Sequence, residues 1–269
     1  VNADSVVSDV IHTLLDKKIS RALVSKNDEI VGIITEKDLG FFLLNDSSQR
    51  TLDKISIAQA AKPLLSIDED ATPKQCAKMM LENGIGSLGV DSDDNVVGII
   101  TKTDLVEYFA KQCKGKKTVG EYMSPYYAWS YSHEKLSKIV SKLLDDKISR
   151  LILRNQNEEP IGILSFRDLF RIALTQGQEE SVLDNSDAAI SVVFTRKGFL
   201  SDTGFGATMS ANDIMKDEIV TVNYDDDLAI ASKVLVENKI NGAGVLSANG
   251  SLIGIISKTD IIKAIAFLN

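Results

Sequence analysis

Four copies of one seven-residue pattern constrain this chain more than any other feature. The pattern is Gly-apolar-apolar-Thr/Ser-x-x-Asp, and it stands at residues 32–38, 98–104, 162–168 and 254–260. Self-similarity of this kind points to a fold built from one small unit used several times. Each copy also sets a hydroxyl and a carboxylate at the same point of its unit.

The surroundings repeat as well. Upstream of each copy, apolar residues recur three and four apart at 6–15, 74–81, 136–144 and 228–236, which predicts an amphipathic helix. A polar break follows, then a short apolar run at 22–24, 88–90, 151–153 or 243–246 that predicts a strand. After a polar turn, a second apolar run leads into the Thr/Ser. The Asp opens another helix, and Thr/Ser three residues before it is a helix-start signature. Each unit therefore reads helix, strand, strand, helix. One unit cannot bury both faces of its strands, whereas two packed sheet to sheet can.

In these features the chain resembles CBS domains, the nucleotide-sensing repeats that pair into Bateman modules. The resemblance covers nearly the whole chain. It includes the family's lead-in segments at 57–63, 119–125 and 211–216. The first unit lacks one, and Val1-Asn2-Ala3-Asp4 matches Val222-Asn223-Tyr224-Asp225, so the chain is expected to begin just inside its first repeat. The resemblance implies an α/β (α+β) fold of four CBS repeats, each a small β-sheet flanked by two helices. The expected boundaries are repeat 1 at 1–50, repeat 2 at 51–114, repeat 3 at 115–176, an inserted linker at 177–210 and repeat 4 at 211–269. Residues 1–114 and 115–269 would form two Bateman modules, stacked as a disc from one chain or from two chains. The layout is similar to that of the gamma regulatory subunit of AMP-activated protein kinase.

Composition narrows the function. A hydrophobic fraction of 44% and a charged fraction of 25% are those of a globular protein. No apolar run approaches the roughly 18 residues of a membrane helix. A net charge of −8 argues against a nucleic-acid surface but leaves room for a locally basic nucleotide pocket. Cys76 and Cys113 lack metal-ligand spacing and read as reduced structural thiols, which fits a cytoplasmic protein. With only His12 and His133, neither a zinc site nor a Ser-His-Asp arrangement is expected. There is no Gly-x-x-x-x-Gly-Lys-Ser/Thr phosphate loop. The chain is accordingly expected to have no catalytic residues, no metal site and no enzyme activity.

The motif suits an adenine nucleotide. A carboxylate at a helix start can accept hydrogen bonds from both ribose hydroxyls, which nominates Asp38, Asp104, Asp168 and Asp260. The adjoining Thr35, Thr101, Ser165 and Ser257 can donate to phosphate, beside the free N–H groups of a helix N-terminus. CBS domains use these two positions for ribose and phosphate. The base would sit against Leu65, Ser66, Ala128, Ser130, Val220 and Thr221. The alternative is that each Asp only caps its helix, a role worth about 1 kcal/mol.

The cationic positions alternate. Units 1 and 3 carry Arg21 and Arg150 after an Ile-Ser step, and Lys37 and Arg167 just before the Asp. Units 2 and 4 carry Ser87 and Gly242, and Thr103 and Thr259, at those places. The chain is thus a duplicated pair. Arginine's planar fork matches phosphate oxygens, and the kinase gamma subunit has basic residues reaching phosphate at the Arg21 and Arg150 positions. The alternative is a surface ion pair with Asp16 or Asp146. The stretch 176–210 reads as a tolerated insertion, or as a loop bringing Arg196 and Lys197 to a phosphate. The expected function is regulatory: binding AMP, ADP or ATP, with or without Mg²⁺, and passing the state to a partner protein. The competing readings are an S-adenosylmethionine sensor and a docking scaffold with empty pockets.

Overall fold

A computed structural model of the chain describes residues 1–46, 50, 52–93, 95–166, 168–169, 205–215 and 218–268. Repeat 1 runs α1 (Val7–Asp16), β1 (Arg21–Lys26), β2 (Glu29–Thr35) and α2 (Glu36–Asn45). Repeat 2 runs β3 (Ser66–Asp68), α3 (Pro73–Glu82), β4 (Ser87–Ser92), β5 (Asn95–Thr101) and α4 (Lys102–Gln112). Repeat 3 opens with α5 (Val119–Tyr122), then β6 (Trp129–Tyr131), α6 (Leu136–Asp145), β7 (Arg150–Arg154) and β8 (Pro160–Ser165). After α7 (Phe205–Thr208) come β9 (Thr221–Asn223), α8 (Leu228–Glu237), β10 (Gly242–Leu246), β11 (Leu252–Ser257) and α9 (Lys258–Ala266) of repeat 4. Among the described residues, no helix is long and apolar enough to cross a membrane.

The expected hairpins are present, in one register. Arg21 faces Thr35, Ser87 faces Thr101, Arg150 faces Ser165 and Gly242 faces Ser257 across antiparallel pairs. A register shift follows at the same place in each pair, between Val24/Ser25, Val90/Asp91, Leu153/Arg154 and Val245/Leu246. The structure adds a third, three-residue strand that pairs parallel to the first hairpin strand in repeats 2, 3 and 4. In repeat 1 the counterpart is a single bridge, Asn2 to Ser25.

The polar breaks after the first helices are left-handed caps. Lys18, Gly84, Lys147 and Lys239 all have φ between 52° and 64°. The next residue, an isoleucine each time, returns an N–H to the last helical turn: Ile19 to Leu14, Ile85 to Met80, Ile148 to Leu143 and Ile240 to Leu235. Orphan carbonyls are satisfied and the chain is aimed into the first hairpin strand.

The chain divides into two compact units, 1–63 with 128–218 and 64–127 with 219–269. The first holds the body of repeats 1 and 3, and the second that of repeats 2 and 4. Each has its own core. Val10 and Leu14 of α1, Leu39 and Leu43 of α2, and Ile139, Val140 and Leu143 of α6 are buried in one. Cys76 and Met80 of α3, Phe109 of α4, Leu235 of α8 and Ile262 of α9 are buried in the other. In the second unit, helices α3 and α4 pack on α8 and α9, and this helical layer supplies most of the core.

Candidate functional site

In repeats 1 and 4 the motif glycine is where a lead-in segment crosses the second hairpin strand. In repeat 1, Ile33 and Lys62 exchange two backbone hydrogen bonds, of 2.8 and 2.9 Å, and a Cβ on Gly32 would stand 2.7 Å from the Lys62 carbonyl oxygen. In repeat 4, Ile255 and Ser124 do the same at 3.0 and 2.8 Å, with the Ser124 oxygen 2.5 Å from a Cβ on Gly254. Gly98 of repeat 2 meets nothing nearer than Val90 Cβ at 3.9 Å.

Three residues on, the hydroxyl and the carboxylate meet in every repeat. Thr35 Oγ1 donates to Asp38 Oδ2 at 2.5 Å and accepts from the Asp38 N–H at 3.1 Å. In the other three, the backbone N–H and the hydroxyl both donate to Oδ2 of the Asp. The distances are 2.7 and 2.7 Å for Thr101 and Asp104, 2.9 and 2.5 Å for Ser165 and Asp168, and 3.0 and 2.6 Å for Ser257 and Asp260. A hydroxyl has a single proton to donate. In this state that proton is committed to the carboxylate. The expected donation from Thr35, Thr101, Ser165 and Ser257 to phosphate would require its release.

The other carboxylate oxygen separates the four repeats. Asp38 Oδ1 pairs with Lys62 Nζ at 2.5 Å. Asp260 is 3% exposed, and its Oδ1 pairs with Lys263 Nζ at 2.9 Å. Asp168 is also buried, at 7%. Asp104 is exposed, and its Oδ1 meets no partner among the described residues. Lys62 and Lys263 were not singled out by sequence reasoning. Lys263 could have been, since a lysine three residues after an aspartate on a helix is a recognisable pair. Lys62 lies 24 residues from Asp38, and only the strand crossing brings it there.

The alternating cations differ in role. The Arg21 and Arg150 backbones stand directly across the hairpin from Thr35 and Ser165, a Cα spacing of about 5 Å. Arg150 is half-buried, and its guanidinium makes no ion pair among the described residues. Desolvation by the surrounding chain pulls its proton affinity below the ordinary arginine value. Arg21 is also half-buried and is engaged in an interaction of its own. In the second unit the Lys-Thr-Asp strings interlock. Lys102 Nζ donates to Thr259 Oγ1 at 3.0 Å, and Lys258 Nζ to Thr103 Oγ1 at 2.8 Å. The Lys-Thr pairs thus join repeats 2 and 4 to each other.

A cavity of about 580 Å³ opens in the first unit between α2 and α6. Phe41, Leu44 and Leu144 make its apolar lining, and Lys37, Lys62 and Lys147 its cationic one, with the carboxylate of Asp145 beside them. Lys37 Nζ stands 5.5 Å from the Phe41 ring centre. Of the expected adenine-wall residues, Leu65, Ala128 and Val220 spend their carbonyls on Gly89, Ile152 and Gly244 in the sheets. Ser66 and Thr221 open β3 and β9, with Thr221 exposed. Ser130 is buried and donates to Glu134. Arg167, Arg196 and Lys197, and the insertion up to 204, lie outside the described residues.

Among similar proteins, an uncharacterized protein of Methanocaldococcus jannaschii is 20% identical over 253 residues, spanning 89% of this chain and 84% of its own length. The crystal structure of that protein, proposed to be an archaeal homologue of gamma-AMPK, superposes with a TM-score of 0.79 at 18% identity, over 98% of this chain and 94% of that one. A conserved protein of Pyrococcus horikoshii gives a TM-score of 0.62 at 20% identity, over 91% of each chain. A Methanopyrus kandleri protein is 28% identical over 135 residues, which is 50% of this chain and 56% of that protein. These likenesses show a shared fold. The CBS domain model matches residues 1–44, 56–111, 119–175 and 211–267, well over half of the chain, and the chain therefore belongs to the CBS-domain family.

Proposed function

We propose that this protein is a regulatory sensor of adenine nucleotides, AMP, ADP or ATP, and not an enzyme. The observation that carries this reading is Arg150. Its partly desolvated guanidinium has no ion pair among the described residues, and its backbone stands across one hairpin from Ser165, which meets Asp168 at a helix start. A phosphate beside a ribose would complete that group, because the guanidinium fork binds phosphate oxygens and the carboxylate accepts from the diol. The gamma-AMPK likeness proposed for the M. jannaschii protein agrees with this reading. The state would pass to a partner protein through a ligand-dependent shift between conformations.

Repeat 4 favours a different role. Asp260 is almost fully buried, both its oxygens are taken, and it caps α9. There the motif serves as a structural cap and not as a ribose site.

Thermal unfolding against AMP, ADP, ATP with and without Mg²⁺, GTP and S-adenosylmethionine tests the reading. Ligand at a hundred times its dissociation constant adds about 2.7 kcal/mol of stability, a shift of several degrees. The expected result is a selective shift with adenine nucleotides that falls in Arg150→Ala and persists in Asp260→Ala, which only lowers the starting Tm. Equal loss of ATP and S-adenosylmethionine binding in Arg150→Ala would refute the phosphate assignment. No shift with any compound would leave the scaffold reading.

A further inference from the structure

Lys62 holds a position that ties the ribose carboxylate of repeat 1 to the cationic cavity beside it. Its backbone is fixed by the two bonds to Ile33, and Gly32 lets it lie close against the strand. Its side chain is not fixed in the same way: it is 66% exposed, reaches Asp38 Oδ1 at 2.5 Å, and lines the cavity that also holds Lys37 and Lys147. The matched residue in repeat 4 is Ser124, anchored by the same pair of backbone bonds but too short to act at a distance. There Asp260 is closed by Lys263 of its own helix, in a pair exposed 48% at the lysine and 5% at the carboxylate, against 66% and 14% for Lys62 and Asp38.

These two closures differ in how readily they open. An exposed ammonium gains little from its carboxylate, because water and salt screen the pair. A diol donating two hydrogen bonds to an ionised carboxylate competes well against it. Lys62 can therefore be displaced, and its anchored backbone keeps the released ammonium beside the cavity.

We infer that Lys62 is a ligand-displaced latch. In the ligand-free state it closes Asp38, and when a ribose takes Asp38 the ammonium turns to the phosphates of the same ligand, held in the cavity with Lys37. The inference rests on the nucleotide reading above and adds to it a residue and a switch. Its consequence is a selectivity against adenosine. A nucleoside must displace Lys62 without recompense, while a nucleotide regains the ammonium's interaction.

Calorimetric titration of the full chain with ATP and with adenosine tests this, using Asp38→Ala to identify the binding event of repeat 1. Lys62→Met keeps the aliphatic stem and the backbone bonds, so the fold is retained, as an unchanged Tm would verify. The expected result is that Lys62→Met weakens ATP at that event about tenfold while adenosine binds equally well or a few-fold more tightly. Equal factors for the two ligands, an unchanged ATP affinity, or an Asp38→Ala titration identical to wild type would each overturn the latch alone. Failure of the wild-type protein to bind any adenine nucleotide would overturn the latch and the sensor reading together.

Discussion

The motif glycine gives a test with its own control, because the same substitution at equivalent positions should act in opposite directions. In Gly254→Ala the new Cβ would stand 2.5 Å from the Ser124 carbonyl oxygen and 2.6 Å from Met123 Cε. The methionine end can swing away, but the carbonyl belongs to a backbone held by Ser124 N–H to Ile255 O at 2.8 Å and Ile255 N–H to Ser124 O at 3.0 Å. An ordinary contact needs the crossing segment to retreat by most of an ångström, which stretches both bonds beyond useful range. Losing two such bonds costs about 1–3 kcal/mol in all. In Gly98→Ala the nearest described atom to the new carbon is Val90 Cβ, at 3.9 Å. Alanine in a strand also restricts the unfolded chain, so this change should be neutral or stabilise by about 0.5 kcal/mol. Urea unfolding of the two single variants, with unchanged m-values as a check on the two-state treatment, measures both effects. If Gly98→Ala destabilises as much as Gly254→Ala, the glycine answers to something other than the crossing segment and the argument fails. Gly32→Ala, facing the Lys62 oxygen at 2.7 Å, should follow Gly254→Ala.

Two further outcomes follow from local geometry. Lys239 holds φ at 52° in an exposed cap, a conformation that costs a side-chain-bearing residue about 1–2 kcal/mol. Because glycine also loosens the unfolded chain, Lys239→Gly should stabilise by about 0.5–1 kcal/mol, and a lowered Tm in calorimetry would refute this. Asp213 is held below the usual carboxylate range by the Ser210 backbone N–H at 2.7 Å and then by the Ser210 hydroxyl at 2.9 Å. A depressed carboxylate stabilises the fold above its unfolded pKa and loses that contribution as pH falls through its folded one. Stability of the first unit should therefore decline as pH drops below about 4, with a shallower decline in Asp213→Asn. Parallel curves for the two proteins would show that this cap carries none of the pH dependence.

Much of this architecture is legible in the sequence because it is local. Hairpin pairing needs only alternating apolar runs around a polar turn, and the turn at Asn27 and Asp28, with φ of 51° and 65°, is of the kind that two such residues favour. The hydroxyl–carboxylate contact is equally local, three residues apart at a helix start. The third strands were not legible. Three residues such as Ser66–Asp68 carry no period, and their partner β4 begins 21 residues further on. Nor was the helical packing of repeats 2 and 4. An amphipathic face on α3 or α4 declares that something covers it, but the identity of the covering helix is a long-range fact. The Lys102–Thr259 and Lys258–Thr103 pairs show the same limit: Lys-Thr-Asp recurs visibly in the sequence, yet its hydrogen-bond partner is the other copy of itself.

One motif thus does several jobs, and the second carboxylate oxygen decides which. The Oδ2 side is the same everywhere: the preceding hydroxyl binds it and the helix starts. That part is a folding requirement, and it would keep the pattern intact in a repeat that binds nothing. The Oδ1 side varies with what the fold delivers to it. Lys263 arrives from the same helix and closes Asp260 in a nearly dry setting, so opening would strand a buried charge. Lys62 arrives from a crossing segment and closes Asp38 from the solvent side, its own side chain 66% exposed and the carboxylate's 14%. Asp104 has no such visitor among the described residues and faces solvent. Three of the four motifs thus differ at Oδ1: Asp260 is closed by its own helix, Asp38 is met by a crossing lysine, and Asp104 faces solvent. On the sensor reading, fewer nucleotides than motifs should bind, because the Oδ1 of Asp260 is already held by Lys263.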